Sequence, residues 1–188
     1  MQTLSSELLK TIFTVQKEAS LFGKWITFKN IEELFLKHKE VFEIKLLGFS
    51  EQQRPIYRLK IGSGKKRILL WSQMHGNEST GTKALFDLFN CFSNCTDKEF
   101  KDILKECTLV FIPMLNPDGS QVYTRVNAND IDLNRDAVAR VAKESTILRD
   151  FLDKFKPQFC FNLHDQRTIF GVEGTKNPAT ISFLAPSE

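Results

Sequence analysis

Two short, unbroken apolar runs constrain this chain more than any other feature. They are residues 68–71 (Ile-Leu-Leu-Trp) and residues 109–115 (Leu-Val-Phe-Ile-Pro-Met-Leu). A strand with one wet face alternates apolar and polar residues, so a continuous apolar run implies a strand covered on both faces. Helical patterns separate and flank these runs. Residues 80–92 carry Ala84, Leu85, Leu88 and Phe89 on one side, and residues 144–155 form a second helix closed by Pro157. Alternating strands at 42–46 and 55–61, and further strands at 159–163 and 181–184, complete the pattern. The expected fold is α/β: a mixed, centrally parallel sheet with helices on both faces. Before it, Leu4, Leu8, Ile12, Val15, Ala19 and Phe22 predict a helix over 4–22, and Asn30 is placed as the N-cap of the next helix.

Composition excludes several classes. The chain has 188 residues, 41 % of them hydrophobic and 26 % charged, with a formal net charge of +3. These values are those of an ordinary globular domain. No stretch has the apolar length of a bilayer span, and no clustered basic face argues for nucleic acid. The first residues lack the basic start and apolar block of a secretion signal, so a cytoplasmic location is expected. On that expectation the sequons at Asn77 and Asn94 go unused, and Cys91, Cys95, Cys107 and Cys160 are read as buried free thiols. The 17 phenylalanines supply ample core material.

Some motifs fail on inspection. Gly62-Ser63-Gly64-Lys65 has Leu59 where a phosphate loop needs glycine, and a strand follows instead of a helix. It reads as a hairpin turn. His38, between Lys37 and Lys39, reads as a solvated residue on a polar helix face.

The other two histidines each follow an apolar strand: His75 after residues 68–74, His164 after residues 159–163. Ligands of open α/β sheets bind outside the carboxyl ends of parallel strands, so the two can converge. Glu78 stands three residues beyond His75. Two His and one Glu form a three-ligand zinc site with a fourth position left for water. The alternative is that each is a hydrogen-bonded loop residue. Asn116-Pro117-Asp118-Gly119 is a strong turn signal after the second apolar run. Arg125 and Asp132-Leu133-Asn134-Arg135 follow. An arginine fork suits a carboxylate, and Asp132 could orient a zinc-bound His through its free ring nitrogen.

These blocks, in this order, resemble the M14 zinc carboxypeptidases. Residues 53–59 (Gln-Arg-Pro-Ile-Tyr-Arg-Leu) are similar to the strand that begins the family's catalytic domain. His75-Gly76-Asn77-Glu78 is similar to the first metal motif and Asn162-Leu163-His164 to the second. The resemblance divides the chain into an N-terminal helical segment, 1–29, and part of a catalytic domain, 30–188. It implies one zinc ion held by His75, Glu78 and His164. Arg125 would polarise the scissile carbonyl, Asn134 and Arg135 would grip a terminal carboxylate, and Asp132 would support His75. The implied reaction is hydrolysis of a C-terminal peptide bond in a peptide, or of a small amide with a free carboxylate. Two rival readings are an amidohydrolase of the aspartoacylase and succinylglutamate desuccinylase branch, acting on N-acyl amino acids, and a non-catalytic zinc- or peptide-binding homologue. The family's general-base Glu and a substrate-covering Tyr come late. After His164 this chain has only Glu173 and Glu188 as glutamates and no tyrosine. Truncation is therefore expected, with zinc binding and no turnover by these 188 residues; a degenerate homologue is the rival account.

Overall fold

The structure is a computed structural model that describes residues 5–94, 96, 98–165 and 175–177. The expected strand at 181–184, Cys95, Glu173 and Glu188 lie outside the described residues. Five strands form one sheet in the order β1-β2-β4-β3-β5, with β1 Glu43–Phe49, β2 Pro55–Ile61, β3 Lys66–Ser72, β4 Cys107–Ile112 and β5 Phe159–Leu163. β1, β2 and β4 pair antiparallel, whereas β4, β3 and β5 run parallel. The mixed α/β architecture is thus as expected.

Alternation along each strand builds two cores. Leu59, Ile61, Leu109 and Phe111 face one side, where they meet Ile31 and Phe35 of α2 (Phe28–His38) and Leu85, Phe86 and Phe89 of α3 (Thr80–Asn94). Ile56, Leu69, Val110 and Ile112 face the other side, against Leu148 and its neighbours on α6 (Lys143–Phe155). Both apolar runs are covered on both faces, which is why they show no alternation in sequence. Much of the first core is phenylalanine. Phe89 makes edge-on contacts with Phe42, Phe86 and Phe111 at centroid distances of 5.0, 5.2 and 5.1 Å, a favoured geometry for aromatic pairs.

Several expectations need correction. The first helix, α1 (Ser6–Gln16), stops well short of residue 22. The N-cap of α2 is Thr27, not Asn30; Asn30 sits at the third helical position, where its side chain accepts from the Thr27 backbone N–H at 2.8 Å. His38 is fully buried. It continues the inward stripe of Ile31 and Phe35 at helical spacing, and its lysine neighbours point elsewhere. Residues 62–65 are not a hairpin, because β4 lies between β2 and β3. The segment instead passes across the backbone entering β4. A Cβ on Gly64 would lie 1.8 Å from the Glu106 carbonyl carbon, so only glycine fits. A helix not expected from the sequence, α4 (Lys98–Glu106), precedes β4. The second apolar run is strand only to Ile112, where Pro113 stops the ladder. Asn116-Pro117-Asp118-Gly119 opens a short helix, α5 (Pro117–Gln121), capped by the Asn116 side chain. Cys91 is buried as expected, but Cys107 is half-buried and Cys160 exposed.

Candidate metal centre

Strand register brings the distant residues together. β3 and β5 are parallel neighbours with Ser72 opposite Leu163. His164 comes one residue beyond that pair and His75 three beyond it, so both emerge at the same end of the sheet. Their rings lie 4.8 Å apart between centroids. A turn closed by Glu78 N–H donating to the His75 carbonyl at 3.0 Å swings the Glu78 carboxylate back towards both imidazoles.

The cluster has the features of a cation site. One ligand atom from each of His75, Glu78 and His164 lies within 4.8 Å of the others. His164 Nδ1 is 2.8 Å from Glu78 Oε2. His75 Nδ1 is 3.0 Å from Glu78 Oε1. That contact lacks hydrogen-bond geometry, and the buried nitrogen has no hydrogen-bond partner among the described residues. Such an atom, close to a carboxylate oxygen but not aligned with it, is expected where two lone pairs aim at a shared centre. The other nitrogen of His75, Nε2, lies 3.0 Å from Asp132 Oδ1. An ionised carboxylate only accepts, so Nε2–H donates to Asp132, and Nδ1 is the nitrogen turned towards Glu78 and the cluster. The donor set of two imidazoles and one carboxylate fits zinc.

Charge around the cluster is tightly held. Burial opposes ionisation of Glu78, but His164, His75 and the Asp165 backbone N–H keep its carboxyl well below the usual range. Asp132 is likewise partly desolvated yet lowered, by Arg125, the Asn134 backbone N–H and His75. Arg125 spans the two acids: Nε donates to Asp132 Oδ2 at 3.0 Å and Nη1 to Glu78 Oε1 at 3.3 Å. Burial raises the Asp165 carboxyl, whose Oδ1 accepts the Thr80 N–H at the start of α3.

Of the expected site residues, His75, Glu78, His164, Asp132 and Arg125 form one connected group. Asn134 borders it; its backbone N–H donates to Asp132 Oδ1 at 2.9 Å and its side chain meets Asn162 at 3.4 Å. Arg135 lies on the same loop, exposed, with Nη1 donating to the Asn134 carbonyl at 3.3 Å. Gln73 was not anticipated. It is fully buried with a left-handed φ of 50°. Its Nε2 donates to the Ile26 and Gly76 carbonyls and its Oε1 accepts from Thr82 Oγ1, all within 2.8 Å. The only signal in sequence is a polar residue where an apolar strand runs into a histidine motif.

A His-Glu-His cluster at the strand ends of this mixed sheet has the donor set of a candidate hydrolytic metal centre. The sequence profile described as zinc carboxypeptidase, that of the M14 peptidases, matches residues 28–170, and the chain belongs to this family. Carboxypeptidase 2 of Trichophyton tonsurans is 26 % identical over 143 residues, which cover 76 % of this chain and 26 % of the relative. Carboxypeptidase D of Mus musculus is 29 % identical over 126 residues, covering 55 % of this chain and 9 % of the relative. Among solved structures, a metallo-carboxypeptidase from Pseudomonas aeruginosa in complex with (2-guanidinoethylmercapto)succinic acid superposes with a TM-score of 0.68 at 20 % identity. That match covers 73 % of this chain and 39 % of the other. Carboxypeptidase A from Helicoverpa armigera gives 0.63 at 18 % identity, covering 86 % and 53 %. At these identities the structural likeness speaks to the fold. The chain spans about a quarter or less of the length of the curated relatives it matches.

Proposed function

We propose that this chain carries the metal-binding part of a zinc-dependent carboxypeptidase that hydrolyses the C-terminal bond of a peptide. The observation that supports this best is the His75, Glu78 and His164 cluster, with Nε2 of His75 held by Asp132 and Nδ1 turned towards the cluster. His75, Glu78 and His164 hold the ion; when bound, zinc polarises a carbonyl and lowers the pKa of a water. Asp132 fixes the ring orientation and tautomer of His75. Arg125 supplies fixed positive charge beside the cluster, where negative charge develops on the carbonyl oxygen during attack. Asn134 and Arg135 receive the substrate's terminal carboxylate, Arg135 through a guanidinium that has no acidic partner among the described residues. None of these residues is proposed as the general base, and zinc binding without turnover is expected of these 188 residues.

Calorimetric titration of the metal-stripped chain with zinc tests the reading. One ion per chain is expected, abolished in His75→Ala and His164→Ala variants that keep their far-UV dichroism. With zinc present, an N-blocked dipeptide with a free carboxylate should bind, its amide should bind far more weakly, and an N-acetyl amino acid should not compete. Absence of zinc binding, or preference for the N-acyl amino acid, overturns the proposal.

A further inference from the structure

We propose that Trp25 and Tyr123 form an aromatic shelf for an apolar side chain of the peptide upstream of the bond cleaved, an assignment that rests on the peptidase reading. The two rings pack at a centroid distance of 5.8 Å and an angle of 48°. Both remain open to solvent, Trp25 58 % and Tyr123 39 % exposed. A paired, exposed aromatic surface offers apolar area with a defined geometry to a ligand's side chain.

The shelf is rigid because residues 23–26 are bound to the metal-binding segment. The Gly23 carbonyl accepts from Lys83 Nζ at 2.8 Å, the Lys24 carbonyl from Ser79 Oγ at 2.6 Å, and the Ile26 carbonyl from Gln73 Nε2 at 2.7 Å. The three donors flank His75 and Glu78 in the chain. Between these anchors Trp25 is turned outward, and its indole N–H donates to the Ser120 carbonyl at 2.9 Å. The polar edge is thereby satisfied and the apolar face left open. Ser120 follows Gly119, whose backbone lies so close to Gly76 that a Cβ there would come within 2.0 Å. The shelf therefore stands directly on the loop that carries His75 and Glu78.

Its position along the site follows from the order of contacts. Asn134 touches Asp132, Asp132 touches Arg125, Arg125 follows Tyr123 by two residues, and Tyr123 touches Trp25. With the terminal carboxylate assigned to Asn134 and Arg135, the shelf is assigned to the upstream part of the peptide because these contacts lead away from Asn134 through Asp132 and Arg125 to Tyr123. Tyr123 holds a left-handed φ of 57°, a conformation seldom kept by a bulky residue without a reason.

The test is binding of three peptides to the zinc-loaded chain by calorimetry, with indole fluorescence in parallel: N-acetyl-Ala-Ala-Leu, N-acetyl-Ala-Phe-Leu and N-acetyl-Phe-Ala-Leu. One of the Phe peptides is expected to bind about fivefold to tenfold tighter than the Ala-Ala peptide and to change the fluorescence. Trp25→Ala and Tyr123→Ala should each remove that preference while leaving the Ala-Ala peptide within about twofold, and Trp25→Phe should retain most of it. If Trp25→Ala does not fold, Tyr123→Ala alone carries the test. Equal binding of all three peptides by the unaltered chain, or a preference that survives the Ala variants, overturns the shelf but not the peptidase reading. Failure of every peptide to bind overturns both.

Discussion

Replacing His38 with asparagine should flatten the acid side of the stability curve. His38 is fully buried against aromatic rings, 5.9 Å from Phe42 and 5.7 Å from Phe89 between centroids. Among the described residues its Nδ1 has one partner, Ser93 Oγ at 3.0 Å, and Nε2 has none. Burial, with Lys37 adding to it and Glu18 opposing, lowers its pKa from 6.5 to about 4. The direction of the pH effect follows. Between pH 6.5 and 4 the unfolded chain takes up a proton at this position that the folded chain refuses. The stabilisation is complete above pH 6.5 and is lost as pH falls to about 4. At about 1.4 kcal/mol per pKa unit, the loss over that window is about 3 kcal/mol. Glu18, which pairs with Lys37 at 2.8 Å, has its own pKa lowered to about 2 and stays charged throughout. Asparagine keeps an amide near Ser93 and does not titrate. The assay is urea unfolding at pH 7 and pH 4.5 in excess chelator, so that the histidines of the metal cluster behave alike in both proteins. The unaltered chain should lose about 2–3 kcal/mol more than His38→Asn between the two conditions. Equal losses would refute the argument, because they would mean that His38 protonates in place at no cost.

Two further predictions concern the site. Asp132→Asn removes the charge that holds both His75 and Arg125, and zinc affinity should fall about 10- to 100-fold in competition with a chelator; unchanged affinity would remove Asp132 from the site. Gly76→Ala places a Cβ 2.0 Å from the Gly119 backbone. Backbone cannot yield as a flexible side chain does, so unfolding measurements should show a loss of about 2 kcal/mol or more, with weaker zinc binding. Gly23→Ala, with nothing within 4 Å among the described residues but a φ of +80°, should cost only about 1 kcal/mol.

Much of the sheet was legible because burial on both faces imposes a pattern that survives in one dimension. The strands Pro55–Ile61 and Phe159–Leu163 have the bounds their residue pattern indicates. The His75, Glu78 and His164 cluster was legible for a related reason. A histidine at a strand end is an interruption in an apolar pattern, and two such interruptions at parallel strands meet. What the residues alone could not supply is pairing. Nothing local says that β4 inserts between β2 and β3, so residues 62–65 read as a hairpin although they cross a neighbouring backbone. Nothing local identifies the partners of Gln73 and Trp25, which lie 47 and 95 residues away. His38 reads as polar because its neighbours are charged, although its spacing from Ile31 and Phe35 puts it on the stripe that packs inward. Periodicity thus determined the elements and the order of the chemistry along the chain. The close approach of groups far apart in sequence was decided by the tertiary structure, because sheet register and backbone contact act through space.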